Sequence, residues 1–153
     1  MTARQTSCGV IVTDGQRVLL GHATRSPRWD IPKGAAERDE NFVAAAVREL
    51  REETGLVALP DELVALGVHS YLRGKDLALF AWELGKLPDP KSLTCASHFA
   101  LPDGTLLPEF DRFGLFQWDE ALTRVGKNLA RLLAALPAGF YRKLRDDVQS
   151  VLG

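Results

Sequence analysis

The sequence predicts a mixed α/β fold, on the strength of three observations. Two β-rich runs, Ser7–Thr13 and Arg17–His22, are separated by the turn-forming residues Asp14-Gly15-Gln16, which is typical of a hairpin. Residues 42–54 follow with apolar side chains at helical spacing and with no Gly or Pro. Further along, residues 63–72 and 77–84 are again β-like, with a turn predicted between them.

The central helix is bounded by recognisable capping residues. Asn41 can accept a hydrogen bond from a free amide of the first turn, and Gly55 suits the left-handed position just past the helix end. On a helical wheel one face is apolar and must pack on a core. That face consists of Phe42, Val43, Ala46, Val47 and Leu50.

Three carboxylates lie beside this apolar face. Glu49, Glu52 and Glu53 fall within an arc of roughly 100° and repel one another, so helix stability gives no reason for their placement. A solvated, charged helix face is the ordinary interpretation of such a run. The alternative is a divalent cation site, because Mg²⁺ prefers oxygen ligands and needs only a few carboxylates.

A longer spacing pattern favours the cation site. Its fixed positions are Gly34, Glu40, Arg48-Glu49-Leu50, Glu52-Glu53 and Gly55-Leu56. At about 6% for each fixed position, a chance match is rarer than roughly one in a million. The stretch 34–56 resembles the Nudix box in every defining position. Asp39 stands where many members have Gly, and Asp also tolerates a turn.

The resemblance implies a single Nudix hydrolase domain over residues 1–153, built as an α/β/α sandwich with a mixed β-sheet. It also implies an enzyme that uses Mg²⁺ or Mn²⁺ to cleave a nucleoside diphosphate linked to another group. The expected metal ligands are the three box glutamates and the backbone carbonyl of Gly34, and Glu40 is either an outer ligand or a structural acid. Glu49 or Glu53 is expected to take the proton from water. Arg48 is expected to orient a glutamate by ion pairing.

The segment before the box, 23–34, is expected to be a loop that supplies positive charge. Lys33 stands next to the box and is expected to face substrate phosphates, with help from Arg25 or Arg28. Trp29 either lines the substrate site or packs against the core. The run Trp-Asp-Ile-Pro-Lys-Gly resembles the lead-in of many Nudix proteins.

A second acidic segment comes late in the chain. Residues 86–107 are the least regular part, and by resemblance we expect them to influence substrate choice. The acidic and aromatic residues at 108–116 then lead to a helix beginning at Trp118. In this region Glu109 is a candidate further metal ligand or base, with Asp111 in reserve, and surface charge is the alternative for both. Helices are also predicted at 127–136 and 140–152.

Composition excludes several classes of protein. The 153 residues are 46% hydrophobic and 25% charged with a net charge of −1, which gives no electrostatic footprint for nucleic acid or an acidic membrane. No apolar run approaches a membrane span and no signal peptide is evident, so the expected location is cytoplasmic. Cys8 and Cys95 match no metal-ligand spacing and are expected to be free thiols.

The predicted function is metal-dependent hydrolysis of a small nucleotide. Dinucleoside polyphosphates and nucleoside triphosphates are equally compatible with the residues. The alternatives are an RNA 5′-end pyrophosphohydrolase, which the absence of a basic surplus disfavours, and a Nudix module that senses a nucleotide without cleaving it. All box carboxylates are present, which argues against the sensing module. The oligomeric state, including a homodimer, is left open.

Overall fold

The computed structural model describes residues 4–136, so the helix predicted at 140–152 lies outside the described residues. Seven strands form one sheet and two short strands form a separate hairpin. In chain order the strands are β1 (Gln5–Thr13), β2 (Arg17–Ala23), β3 (Trp29–Asp30), β4 (Lys33–Ala35), β5 (Val64–Leu72), β6 (Lys75–Glu83), β7 (His98–Ala100), β8 (Leu106–Pro108) and β9 (Phe110–Gln117). The seven-stranded sheet runs β3-β2-β1-β6-β5, with β4 also paired to β1 and β9 to β2.

The sheet is mixed and lies between two helical layers. β1 and β6 are parallel, and the other pairs are antiparallel. The described helices are α1 (Phe42–Thr54), α2 (Trp118–Arg124) and α3 (Lys127–Ala134). Side chains alternate along β1, so Val10 and Val12 pack with α1 while Ile11 packs with α2 and α3. The predicted α/β/α sandwich is confirmed.

The predicted ends of α1 are also confirmed. The Asn41 side chain accepts from the amide of Ala44 at 2.8 Å, and Gly55 has φ of 83° and donates its amide to the Arg51 carbonyl. Asp39, which replaces the Gly of many boxes, has φ of 65°, the left-handed conformation that Asp tolerates better than most residues.

Two segments are more regular than the sequence predicts. The lead-in, expected to be a loop, contains β3 and β4, because these short runs pair with β2 and β1 that are already in place. The acidic and aromatic run after residue 109 forms β9, which pairs along the whole of β2. The β1–β4 and β2–β9 pairings join residues that are distant in sequence, and local propensity does not predict them.

The segment between β6 and β7 is hydrogen-bonded to the end of α1. The amides of Ala96 and Ser97 both donate to the Glu52 carbonyl, at 2.7 and 3.1 Å, and the Thr94 amide donates to Thr54. These bonds satisfy carbonyls that the last turn of a helix leaves free. They place this segment beside the acidic turn of α1. Within residues 4–136, no helix has the length and apolar character needed to cross a membrane.

Candidate active site

Strand β4 brings the lead-in against α1. Lys33 and Gly34 pair with Gly9 and Cys8 of β1, and the Lys33 amide donates to Oε1 of Glu53 at 2.7 Å. Gly34 faces Glu49, since a Cβ at Gly34 would collide with the Glu49 carboxyl group. A larger residue at position 34 would therefore push the Glu49 carboxylate away from its present position.

Glu53 is the most buried of the box acids. The residue is only 6% exposed, and burial raises the pKa of its carboxyl group to about 8, although the Lys33 amide and ammonium oppose this shift. No ion pair among the described residues includes Glu53. The expectation that the box acids lie only beside the core is therefore wrong for Glu53, because β4 covers the end of α1.

The other two acids lie progressively nearer the surface. The Glu49 side chain is 12% exposed, and burial raises its carboxyl pKa against the opposing influence of Arg48. The Glu52 side chain is 45% exposed and meets Nη1 of Arg48 at 3.3 Å. The three carboxylates thus extend from the interior at Glu53 to the rim at Glu52.

Arg48 is the centre of an ion-pair network. Its Nε and Nη2 donate to the two carboxylate oxygens of Glu40, both at 2.9 Å, and Nη1 donates to Glu49 at 2.8 Å. Nη2 also donates to the Ala35 carbonyl. The bidentate contact lowers the pKa of Glu40 to about 2. This contact ties Glu40, which lies just before α1, to Arg48 in the middle of that helix.

The described residues contain no ready-made group of three His, Cys, Asp or Glu side chains around one metal position. Arg48 accounts for this, since its guanidinium lies between Glu49 and Glu52. The chemistry of the donors nevertheless fits a hard divalent cation, because every donor is an oxygen and Glu53 is a buried acid without an ion-pair partner. The glycine at position 34 also keeps the Glu49 carboxylate close to the Gly34 backbone.

The lead-in cations differ in how they are held. Nζ of Lys33 lies 3.0 Å from Oδ2 of Asp30 and 5.9 Å from the centre of the Tyr71 ring. Burial alone would lower the Lys33 pKa, but Asp30 raises it above its usual value. Arg28 is exposed and packs beside Gly126 at the start of α3, while Arg25 is exposed in a turn with φ of 63°.

Trp29 is occupied by contacts within the protein. Its ring meets Phe116 and His22 edge to face, at centroid distances of 4.8 and 5.1 Å, and the Arg112 guanidinium covers it at 5.3 Å. Asp111 is similarly engaged, because its Oδ1 lies 2.8 Å from Nδ1 of His22. These contacts favour a packing role for both residues.

Glu109 is connected to the acidic helix through one residue. Its amide donates to the Ser97 carbonyl at 2.8 Å, and the Ser97 amide donates to the Glu52 carbonyl. Glu109 itself is exposed, in the link between β8 and β9. The fold therefore holds Glu109 near the turn of α1 that carries Glu52 and Glu53, and does not bring Asp111 into that network.

Sequence reasoning missed the partner of Lys33. Asp30 stands three residues before the lysine, and this spacing is a signal that the sequence does contain. The break between β3 and β4 at Pro32, where the two side chains meet, cannot be predicted from the sequence. The approach of Tyr71 to Lys33 depends on the placement of β5, which the sequence does not predict. Cys8 and Cys95 are free, as predicted.

Comparison with known proteins identifies the family. The NUDIX domain model matches residues 3–136. An uncharacterized 17.7 kDa protein of Enterobacteria phage T4 is 36% identical over 141 residues, which cover 83% of this chain and 91% of that protein. An RNA pyrophosphohydrolase of Bartonella tribocorum is 35% identical over 86 residues, covering 45% of this chain and 50% of that protein.

The fold agrees with this result. The crystal structure of a C. elegans Ap4A hydrolase binary complex matches with a TM-score of 0.61 at 20% identity, covering 89% of this chain and 99% of that one. The sandwich, the box geometry and the family match over most of the chain all lead to one assignment. The chain belongs to the Nudix family and is a hydrolase acting on a phosphoanhydride bond.

Proposed function

We propose that this hydrolase cleaves a small nucleotide in which a nucleoside diphosphate is linked to another group. Dinucleoside polyphosphates and nucleoside triphosphates are the two candidate classes. The observation that carries the proposal is the position of Lys33. Its amide donates to Glu53, and its ammonium places a positive charge in the segment that contacts the box acids. A polyanion bound there meets a phosphate-binding cation directly beside the metal-binding acids.

The charge distribution supports a small substrate. With a net charge of −1, the chain has no basic surplus to follow a nucleic-acid backbone. Affinity for phosphates must come from a few local cations, and Lys33 and the exposed Arg28 are our candidates, with Arg25 as a further contact. Trp29 is retained as part of this site through packing that fixes the lead-in.

We assign the metal site to Glu49, Glu52, Glu53 and the backbone carbonyl of Gly34. When bound there, Mg²⁺ or Mn²⁺ neutralises charge on the phosphate oxygens and lowers the pKa of water. Cation binding requires Nη1 of Arg48 to release Glu49 or Glu52, while Glu40 keeps hold of Nε and Nη2. In this scheme Arg48 positions the acids and does not touch the substrate.

The general base is Glu49 or Glu53. Both carboxyl groups have a pKa that burial raises above its ordinary value, and a raised pKa favours accepting a proton near neutral pH. Glu109 is our candidate for a further ligand, because its backbone is linked through Ser97 to the turn that carries Glu52. The cytoplasmic location and the oligomeric state stay predictions.

RNA 5′-end hydrolysis is the second candidate, because the Bartonella relative is named an RNA pyrophosphohydrolase. That match covers less than half of this chain, so the activity is not transferred. The C. elegans structure, named an Ap4A hydrolase, is only 20% identical and supports the fold alone. The choice between the substrates therefore rests on the site and on experiment.

The deciding experiment compares substrates and one lysine variant. Purified enzyme is tested with a dinucleoside polyphosphate, a nucleoside triphosphate and a 5′-triphosphorylated RNA, each with Mg²⁺ and with Mn²⁺. We expect hydrolysis of a small nucleotide, and we expect Lys33→Ala to raise KM by about tenfold while metal affinity changes little, because one charge-assisted phosphate contact is lost. Lys86→Ala, at an exposed lysine after β6, is the control and should behave as wild type.

Two results would contradict the proposal. Cleavage of the RNA end together with no activity on any small nucleotide would replace it by the RNA function. An unchanged KM in folded Lys33→Ala would remove this lysine from phosphate binding.

A further inference from the structure

The pairing of Lys33 with Asp30 has no obvious benefit for phosphate binding. Asp30 ends β3 and Lys33 begins β4, and their charged groups meet at 3.0 Å with both side chains about three-quarters shielded from solvent. Oδ1 of Asp30 also accepts from the Ile31 amide at 2.8 Å, so the carboxylate is fixed by its own backbone. A negative charge at this place weakens the attraction of Lys33 for a polyanion.

A second carboxylate competes for the same ammonium. Glu53 receives the Lys33 amide and also acts electrostatically on the Lys33 side chain. A lysine side chain is flexible and can carry its charge to either acid. An ammonium that moved onto Glu53 would neutralise the carboxylate that we assign to the metal.

In the structure the ammonium is paired with Asp30 instead. Its carboxylate draws Nζ toward the end of β3, and the Tyr71 ring lies on the ammonium at 5.9 Å. Lys33 therefore contacts Glu53 with its main chain only, as far as the described hydrogen bonds and ion pairs go. The two functions of this residue, holding Glu53 and presenting a positive charge, are kept apart.

We propose that Asp30 is a positioning residue that holds the Lys33 ammonium away from Glu53, leaving Glu53 for the cation and the ammonium for a substrate phosphate. This inference rests on the proposed function, since it takes the box acids as metal ligands and Lys33 as a phosphate contact. Asp30 acts through Lys33 and contacts neither the cation nor the substrate.

A double-mutant cycle tests the proposal. Asp30→Asn keeps the shape of the side chain and removes its charge, Asp30→Glu keeps the charge, and Lys33→Met removes the ammonium but keeps an apolar stem. The dissociation constant of Mn²⁺ without substrate is measured by calorimetry, and KM and kcat are measured with a nucleoside triphosphate or with the small nucleotide that the enzyme prefers.

We expect Asp30→Asn to weaken Mn²⁺ binding by about tenfold, the scale of losing an outer-shell partner, and to raise KM. Asp30→Glu should recover most of both losses. In the Lys33→Met background, Asp30→Asn should change neither quantity, because the ammonium that Asp30 restrains is absent.

Several outcomes would overturn the proposal. One is wild-type Mn²⁺ affinity in folded Asp30→Asn, and another is an equal loss in the Lys33→Met background, which would mean that Asp30 acts on the fold. If Asp30→Asn does not fold, Lys33→Met alone decides: it should keep wild-type Mn²⁺ affinity, and a loss would contradict the positioning role. An unchanged KM in Lys33→Met would instead refute the phosphate role of Lys33. The Mn²⁺ affinities of the double-mutant cycle would still test whether Asp30 keeps the ammonium away from Glu53.

Discussion

The glutamates near the two ends of the box lie in opposite environments, one paired with an arginine and the other buried. Just before α1, the Glu40 carboxylate accepts hydrogen bonds from Nε and Nη2 of Arg48, and this contact lowers the pKa of Glu40 to about 2. At the end of α1, Glu53 is buried against β4 without an ion-pair partner among the described residues, and burial raises its pKa to about 8. The same residue type thus experiences two environments within one box, just before α1 and at the end of α1.

In the proposed scheme this difference distinguishes a structural acid, Glu40, from a functional one, Glu53. The Glu40 end is neutral within itself and stabilises the fold, because the arginine is already matched to a carboxylate. At the Glu53 end burial raises the pKa of an unpaired acid, so ionising that carboxyl group in the protein without a cation costs stability. A site that is unfavourable for folding and rich in oxygen ligands is what a divalent cation would complete.

The largest expected effect follows from removing the charge at the unmatched end. Glu53→Gln keeps the size of the side chain, and its amide oxygen can still accept from Lys33, but it binds a hard cation weakly. We expect kcat to fall by about a hundredfold or more, a loss typical of an essential catalytic carboxylate. Steady-state kinetics with Mg²⁺ and with Mn²⁺, together with calorimetric metal titration, measure this loss.

Glu62→Gln is the matched control, because Glu62 is an exposed acid in a short helical turn outside the box. It should leave kcat at the wild-type value. Wild-type turnover in folded Glu53→Gln would remove Glu53 from the site. The different environments of Glu40 and Glu53 would then have no bearing on catalysis.

The second effect is the pH dependence of stability with chelator present. The pKa of Glu53 is raised from 4.5 to about 8, so between these values the unfolded chain loses a proton that the folded chain retains. The free energy of unfolding should therefore fall as pH rises through this window, by a few kcal/mol from this group. Urea unfolding at several pH values, for wild type and Glu53→Gln, measures the difference.

The neutral glutamine has no such dependence, so Glu53→Gln should be more stable than wild type at about pH 8 and by a smaller margin at about pH 5. Glu40 does not interfere, since its lowered pKa gives stability that is lost only as pH falls from 4.5 toward about 2. A constant difference between the two proteins across this pH range would show that Glu53 carries no buried charge.

The third effect concerns the matched end. Arg48→Met keeps the stem but leaves Glu40 and Glu49 without their guanidinium, and the pair is only partly exposed, with side-chain exposures of 25% for Arg48 and 16% for Glu40. We expect a loss of about 2 kcal/mol in the free energy of unfolding, below the range for a fully buried pair. Arg124→Met breaks the exposed pair with Glu120 and should cost less than about 0.5 kcal/mol. Equal losses in the free energy of unfolding would mean that the Arg48 network stabilises the fold no more than the exposed pair does.

What the sequence could predict of this site depends on distance along the chain. The caps Asn41 and Gly55 and the acidic arc of α1 follow from residues within a few turns, and the structure has these features where the pattern places them. The burial of Glu53 does not follow, because it arises from β4, which lies 20 residues earlier and docks on the helix through β1. The functional asymmetry of the box is therefore a tertiary effect.

The late acidic segment shows the same limit. Residues 110–117 contain both charged and aromatic side chains, and their strand character depends on β2, roughly ninety positions earlier in the chain. The sequence offers Glu109 as the candidate and Asp111 as its reserve, but it does not show the tertiary contacts of either residue. The fold separates them, since β9 carries Asp111 to His22 while the Glu109 amide is bonded to Ser97.

The smallest expected effect tests that separation. Glu109 is exposed, and only its backbone is tied to the acidic turn through Ser97, so Glu109→Gln should leave the free energy of unfolding unchanged. As a further ligand it should contribute to kcat, and we expect a loss of about tenfold at subsaturating metal. Asp111→Ala should do the reverse, costing about 1 kcal/mol of stability through the lost contact with His22 and leaving kcat unchanged. Steady-state rates over a metal titration, paired with urea unfolding, distinguish the two variants. A wild-type rate in Glu109→Gln at every metal concentration would confine the catalytic acids to the box and make Glu109 a surface charge.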